Sequence, residues 1–271
     1  MGLQTPSSDS INKMSRDSRL VIAIWTILCV IAVILWVLTV KSQQDVFYAY
    51  YFSVFQLLTS VGAAVLCYRT TLVLEADDKT RTAWGFLSMG LWCWSVGALL
   101  EGLYTILHPD MDVPFPWYAD IGFLLLIPFV VMALLTFKKG QNVGIPRWGL
   151  VTATVMFLCA FSLALKLNFE VFENLSSVAI IITVAYIILD SILLAMIVAV
   201  ASTLAGGLIS RPWQVALVGW FIFYLGDVSY TFFRNIDKPD AGGILLDLTW
   251  PIAFGLIALA ATLARGIYKS A

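Results

Sequence analysis

The sequence predicts an all-α, polytopic membrane bundle of about eight transmembrane helices, with both ends in the cytoplasm. Three observations carry this reading. Of 271 residues, 61% are apolar and 12% charged, about half the charged share of a soluble domain. That is too little charge to cover a water-facing surface. The apolar residues also gather into eight runs of bilayer length, since about 20 of them span the hydrocarbon. Finally, Lys and Arg are unevenly shared between alternate connections, the asymmetry that sets orientation.

The runs read as helices at 20–40, 46–74, 82–107, 116–137, 148–167, 175–203, 212–233 and 242–266, each bounded by charge, Pro or Gly. Backbone groups in hydrocarbon must be satisfied within the segment, which favours helices. The strict short alternation of barrel strands is missing. The first run follows nearly twenty mostly polar residues and is too long for a signal-peptide core. Residues 1–18 are therefore expected to form a flexible cytoplasmic tail, and 19–271 a single transmembrane domain.

With the N-terminus inside, the inner side holds Lys13, Arg16, Arg19, Arg69, Lys79, Arg81, Lys138, Lys139, Arg147, Arg211, Arg265 and Lys269. The outer side holds Lys41, Lys166, Arg234 and Lys238. An even number of spans returns the C-terminus inside. The fifth run ends near Lys166, which can snorkel to the interface. The expected location is the plasma membrane, and the first partner is the bilayer. A net charge of −1 creates no field that would gather nucleic acid.

Four cysteines (Cys29, Cys67, Cys93 and Cys159) fall inside apolar runs without a CxxC pair, and read as small buried apolar residues. A single histidine, His108, excludes haem held between two histidines of one chain and argues against a histidine-rich zinc site. No cofactor or metal is expected.

The chain carries an internal echo. The third run contains Trp94, Glu101, Tyr104 and Thr105; the seventh contains Trp220, Asp227, Tyr230 and Thr231 at the same spacings. A second acid follows each, Asp120 after 19 residues and Asp247 after 20, at the outer start of the next run. A proline comes next in both, Pro128 and Pro251. This spacing predicts two four-helix halves in parallel orientation.

Ionisable groups inside spans are costly in lipid and mark function by default. Here they are Glu101, Asp120, Asp190, Asp227 and Asp247. Asp190 sits near the middle of the sixth run and has no counterpart in the second. Seven residues advance a helix two turns with little drift, so Trp94, Glu101 and His108 share one stripe with Tyr104 beside it. Trp220, Asp227 and Arg234 share another, with Tyr230 beside it. If the stripes face inward, they build an outward-opening pocket with acidic and aromatic walls, to which Trp250 also belongs.

Three readings compete for this set. The acids could fix packing by hydrogen bonds, and Asp120 and Asp247 could cap helix starts. They could bind a cationic or amphipathic small molecule, with the aromatic faces assisting. Or Glu101 or Asp227 could act as a general acid, a role open to a carboxyl in apolar surroundings. Residue types alone do not separate these. His108 before Pro109, the Phe47–Phe52 aromatic cluster and Phe115-Pro116-Trp117-Tyr118 read as interfacial residues; the clusters could also form a lid. Asp77 to Arg81 reads as a solvated inner loop, and Gly206-Gly207 as a turn.

Val113-Pro114-Phe115-Pro116-Trp117-Tyr118-Ala119-Asp120, with the apolar run holding Pro128, resembles the multi-spanning input domains of bacterial signalling proteins. Those domains precede diguanylate cyclase, phosphodiesterase or histidine kinase modules. Leu225-Gly226-Asp227, and the stretch from Leu246-Asp247-Leu248-Thr249-Trp250 to Ala258-Leu259-Ala260, are similar to their closing helices. The likeness covers roughly 90–137 and 215–264. Trp117 and Tyr118 depart from it, standing where Ser is common after the second proline. The resemblance implies a sensor-like or receptor-like module with a cytoplasmic C-terminus. The sequence closes at Arg265 to Ala271 without an output domain, so a separate cytoplasmic signalling partner is expected. The leading expectation is thus a stand-alone sensor binding a small ligand. The alternatives are an intramembrane enzyme on a lipid or isoprenoid, similar in its paired acids to terpene cyclases, and a proton-coupled transporter using Asp190.

Overall fold

The computed structural model describes residues 15–42, 45–142, 144–204, 210–235 and 243–270. Among these, eight helices are long and apolar enough to cross a membrane, the character of an integral membrane protein. They are α1 (Arg16–Ser42), α2 (Asp45–Thr71), α3 (Lys79–Leu107), α4 (Ala119–Gln141), α5 (Arg147–Asn168), α6 (Ser177–Ala201), α7 (Ser210–Asn235) and α8 (Gly243–Ser270). A single 3-10 turn, Val171–Asn174, precedes α6. No strand occurs among the described residues.

Local chemistry explains several boundaries. Asp78 caps α3 by accepting the Thr80 N–H at 2.6 Å, and Ser176 caps α6 through the Ala179 N–H at 3.3 Å. Lys79 and Arg81, expected in a loop, are therefore already helical. α4 ends on Asn142 in the left-handed region, φ 52°. Its start, expected near 116, is delayed to Ala119 by the prolines at 114 and 116. The largest departure is at the first helix. Residues 16–18, expected in a flexible tail, form its first turn. The Ser15 hydroxyl accepts the Ser18 N–H at 3.1 Å, Asp17 pairs with Arg265 at 3.3 Å, and the buried Ser18 hydroxyl donates to Thr262 at 3.1 Å. The start of α1 is thus docked on the end of α8, on what we term the terminal face; the opposite end of the bundle is the distal face.

The helices pack as a ring. α3 lies against α4 and α2, α7 against α8 and α6, and the ring closes through α2 with α8 and α4 with α6. α1 and α5 lie outside it. Only 11% of the apolar window of either is buried, against 56% for α3. The core draws residues from all eight helices. In the terminal half Trp213 stacks on Phe137 at 3.9 Å and meets Trp84 at 4.9 Å. Polar contacts tie the helices where lipid supplies no hydrophobic drive. Ser95 donates to Ser60 at 2.8 Å, Ser88 to the Ala64 carbonyl at 2.9 Å, and Thr70 to the Ala261 carbonyl at 2.9 Å.

Of the cysteines only Cys67 is fully buried; Cys159, expected inside, is exposed on α5, because that helix covers little of itself with protein. Gly206-Gly207, Lys238 and the side chains of Lys41 and Arg234 lie outside the described residues.

Candidate functional site

Close backbone approach sets the geometry of the distal half. A Cβ on Gly122 of α4 would lie 2.5 Å from the Cys93 carbonyl and 2.8 Å from the Gly97 nitrogen of α3. Two facing glycines therefore let α3 and α4 touch, and this brings Asp120 into electrostatic range of Glu101. In the other half a Cβ on Gly226 would lie 2.5 Å from the Thr249 hydroxyl and 3.2 Å from Trp250 Nε1. With only hydrogen there, the Trp250 indole reaches across and donates to Asp227 at 2.8 Å.

Four of the five intramembrane acids form one connected group. Tyr186 on α6 is its hub: its hydroxyl donates to Asp120 at 2.8 Å, and it interacts electrostatically with Asp190 and Asp227. Asp190 lies one helical turn from Tyr186 and within electrostatic range of Asp227 of α7. Glu101, Asp120, Asp190 and Asp227 thus meet from α3, α4, α6 and α7. All four are half-buried, with part of their surface open to a water-sized probe. The fifth, Asp247, stands apart: it accepts the Tyr48 hydroxyl of α2 at 2.9 Å.

Satisfaction of the acids is uneven. Asp120 accepts both Tyr186 and the Trp117 N–H, the latter at 2.6 Å, so it closes the turn that enters α4 as well as joining two helices. Asp247 is the fifth residue of α8, beyond the cap position at the helix start; it crosslinks α8 to α2. Asp227 has Trp250. Glu101 and Asp190 accept no side-chain hydrogen bond among the described residues. The asymmetry between Glu101 and Asp227 has a sequence cause. Asp120 plus three is Phe123, whereas Asp247 plus three is Trp250. The first half has a hydrocarbon ring where the second has an indole donor.

Among the described residues no cation compensates the group. The ion pair among the described residues is Arg265–Asp17, at the terminal face. No Asp, Glu, Lys, Arg or His lies within 82–100, 121–137, 191–210, 212–226 or 248–264. Below the acids the bundle is closed by rings. Trp94 is 5.3 Å from Phe123 and 4.6 Å from Phe254, and Phe223 is 6.0 Å from Phe254. The buried Trp220 is 5.8 Å from Phe223.

The two stripes are therefore half as expected. Trp94 and Trp220 are buried as a floor. Tyr104 points back to the distal loop, 4.5 Å from His108 and 5.1 Å from Trp117. Tyr230 is 46% exposed, its ring 5.9 Å from that of Trp250. Sequence reasoning missed Tyr48 and Tyr186. Tyr48 is hidden in the aromatic cluster at 47–52, where an interfacial belt explains any tyrosine. The signal for Tyr186 was its position one turn before Asp190 in a run otherwise almost free of polar side chains.

Compared with protein-family models, with curated proteins and with solved structures, the chain gives no significant match.

Proposed function

We propose that the chain is a sensor-like membrane module that binds a small organic cation at the Glu101–Asp120–Asp190–Asp227 group. One observation carries the reading: four carboxyls from four helices converge in half of the bundle, and no basic side chain among the described residues stands against them. Such a group is costly in a membrane unless protons or a cation neutralise it. Glu101 and Asp190 have the spare acceptor capacity, while the Trp250, Tyr186 and Phe123 rings supply faces for an alkylammonium. Among the described residues eleven Lys and Arg lie toward the terminal face, which supports a cytoplasmic terminal face and an outward-facing site. The Trp–acid–Tyr echo, and tyrosine-to-acid crosslinks joining α2 to α8 and α6 to α4, support two related four-helix halves. On this reading the signal passes to a cytoplasmic signalling partner or module, as the likeness to bacterial input domains suggests.

The test measures thermal stability of the detergent-purified chain with spermidine and with dodecyltrimethylammonium. The parent should be stabilised saturably by one of them. Glu101→Gln/Asp190→Asn should fold as well as the parent, but its Kd should rise at least 30-fold or so, because each charge loses its partner. No stabilisation by either cation, or an equal response in the double variant, would sink the proposal.

Acid catalysis on an isoprenoid is the second reading. Asp190 and Asp227 lie within electrostatic range of each other, and two such carboxyls can share a proton that one then donates. A lipid and terpenoid profile of cells with and without the chain decides it; identical profiles count against catalysis. Transport is less favoured, since a side-chain proton relay would stop at Asp190, with no ionisable residue from 191 to 210.

A further inference from the structure

At the terminal ends of α3 and α4, Lys79, Lys138, Lys139, Asn142 and Gly144 line one open cleft of about 340 Å³. The three lysines come from two helices brought edge to edge, a Cβ on Gly140 lying 3.3 Å from the Lys79 Cβ. We propose that this cleft binds the phosphate of an anionic phospholipid headgroup.

The charge is uncompensated. None of the three lysines forms an ion pair among the described residues, where the pair present is Arg265–Asp17. The acids close in sequence, Glu75, Asp77 and Asp78, face elsewhere. Asp78 caps α3 through Thr80, and together with Glu75 and Asp77 it lines a different cleft, against Tyr268. The helix dipole accounts for Lys138 and Lys139, which sit in the last turn of α4, where cations are favoured. It does not account for Lys79, the first residue of α3, because the N-terminal end of a helix disfavours a cation. An anion held among the three lysines offsets that unfavourable placement. The positive-inside bias explains basic residues on this face, but not their convergence on one cleft.

A lipid source is favoured over free phosphate by what lies beside the lysines. Met132 and Leu135 on α4, 37% and 40% exposed, run one turn apart into Lys138 and Lys139. They offer an acyl chain a track that ends at the cleft. Under the proposed orientation this is the cytoplasmic leaflet, where anionic lipids concentrate. The cleft itself is independent of the cation reading, and either can fail alone.

The experiment titrates the delipidated chain in detergent with phosphatidylglycerol, phosphatidylcholine and inorganic phosphate, reading bound lipid by native mass spectrometry. The parent should retain one phosphatidylglycerol in preference to phosphatidylcholine. Lys79→Ala and Lys138→Ala should each weaken it about fivefold, and the triple Ala variant at 79, 138 and 139 should abolish the preference. The triple Arg variant should keep it. Single-Ala variants that bind as the parent does would overturn the site. Millimolar inorganic phosphate that displaces the lipid would overturn the lipid as its ligand. Should the triple Ala variant fail to fold, the single variants decide alone.

Discussion

Gly122→Val should abolish the folded bundle, or lower its thermal midpoint by about 10 °C or more. The new side chain would push directly into backbone, the Cys93 carbonyl and the Gly97 nitrogen, and neither can rotate away. α3 and α4 would have to separate along the most extensive helix–helix contact among the described residues. Overpacking of a tight core costs about 1–3 kcal/mol when side chains can yield; here none can, so the cost should exceed about 3 kcal/mol. The matched control is Gly85→Ala on the same helix. A Cβ there meets nothing within 4 Å, and stability should be unchanged or gain up to about 1 kcal/mol from helix propensity. Equal midpoints for Gly122→Val and the parent would rule out the glycine contact that seats Asp120 beside Glu101.

Asp120→Ala should be the most damaging change among the acids, at about 2–4 kcal/mol. It strands the Tyr186 hydroxyl and the Trp117 N–H, both part-buried donors, and an unsatisfied donor costs about 1–3 kcal/mol. Asp190→Asn should behave oppositely. It removes no side-chain hydrogen bond and replaces a carboxyl within electrostatic range of Asp227 by a neutral group of the same shape, so stability should hold or rise. The comparison separates carboxyls that build the bundle from those left over for a ligand. If Asp190→Asn proves the more destabilising, the division is wrong and the group is structural throughout. Thermal melts of the two purified variants, in one detergent at one pH, are sufficient.

Eight spans were legible because hydropathy over 20 residues integrates away local detail, and each helix lies within a few residues of its expected run. The errors sit where one side chain decides. Asp17 looks like part of a polar tail until Arg265, 248 positions away, is placed beside it. The acids were legible for the same reason as the spans, since any charge in hydrocarbon stands out. Their partners were not. A tyrosine in an aromatic cluster reads as interfacial, and nothing in one dimension shows that Tyr48 meets Asp247 or that Tyr186 meets Asp120. The exception is the Phe123 and Trp250 difference. It is written at matching distances from the paired acids, and it explains which of Glu101 and Asp227 lacks a donor.

The stack of Trp84, Trp213 and Phe137 has a spectroscopic consequence. Two indoles with centroids 4.9 Å apart and planes tilted by 38° have coupled electronic transitions, so their ultraviolet dichroism should split into a pair of opposite-signed bands. One chromophore lies on α3 and the other on α7, on opposite sides of the ring. The amplitude of that couplet is therefore a native optical ruler across the bundle, readable without a label. Any ligand that moves one side against the other would register there as a change in ultraviolet dichroism.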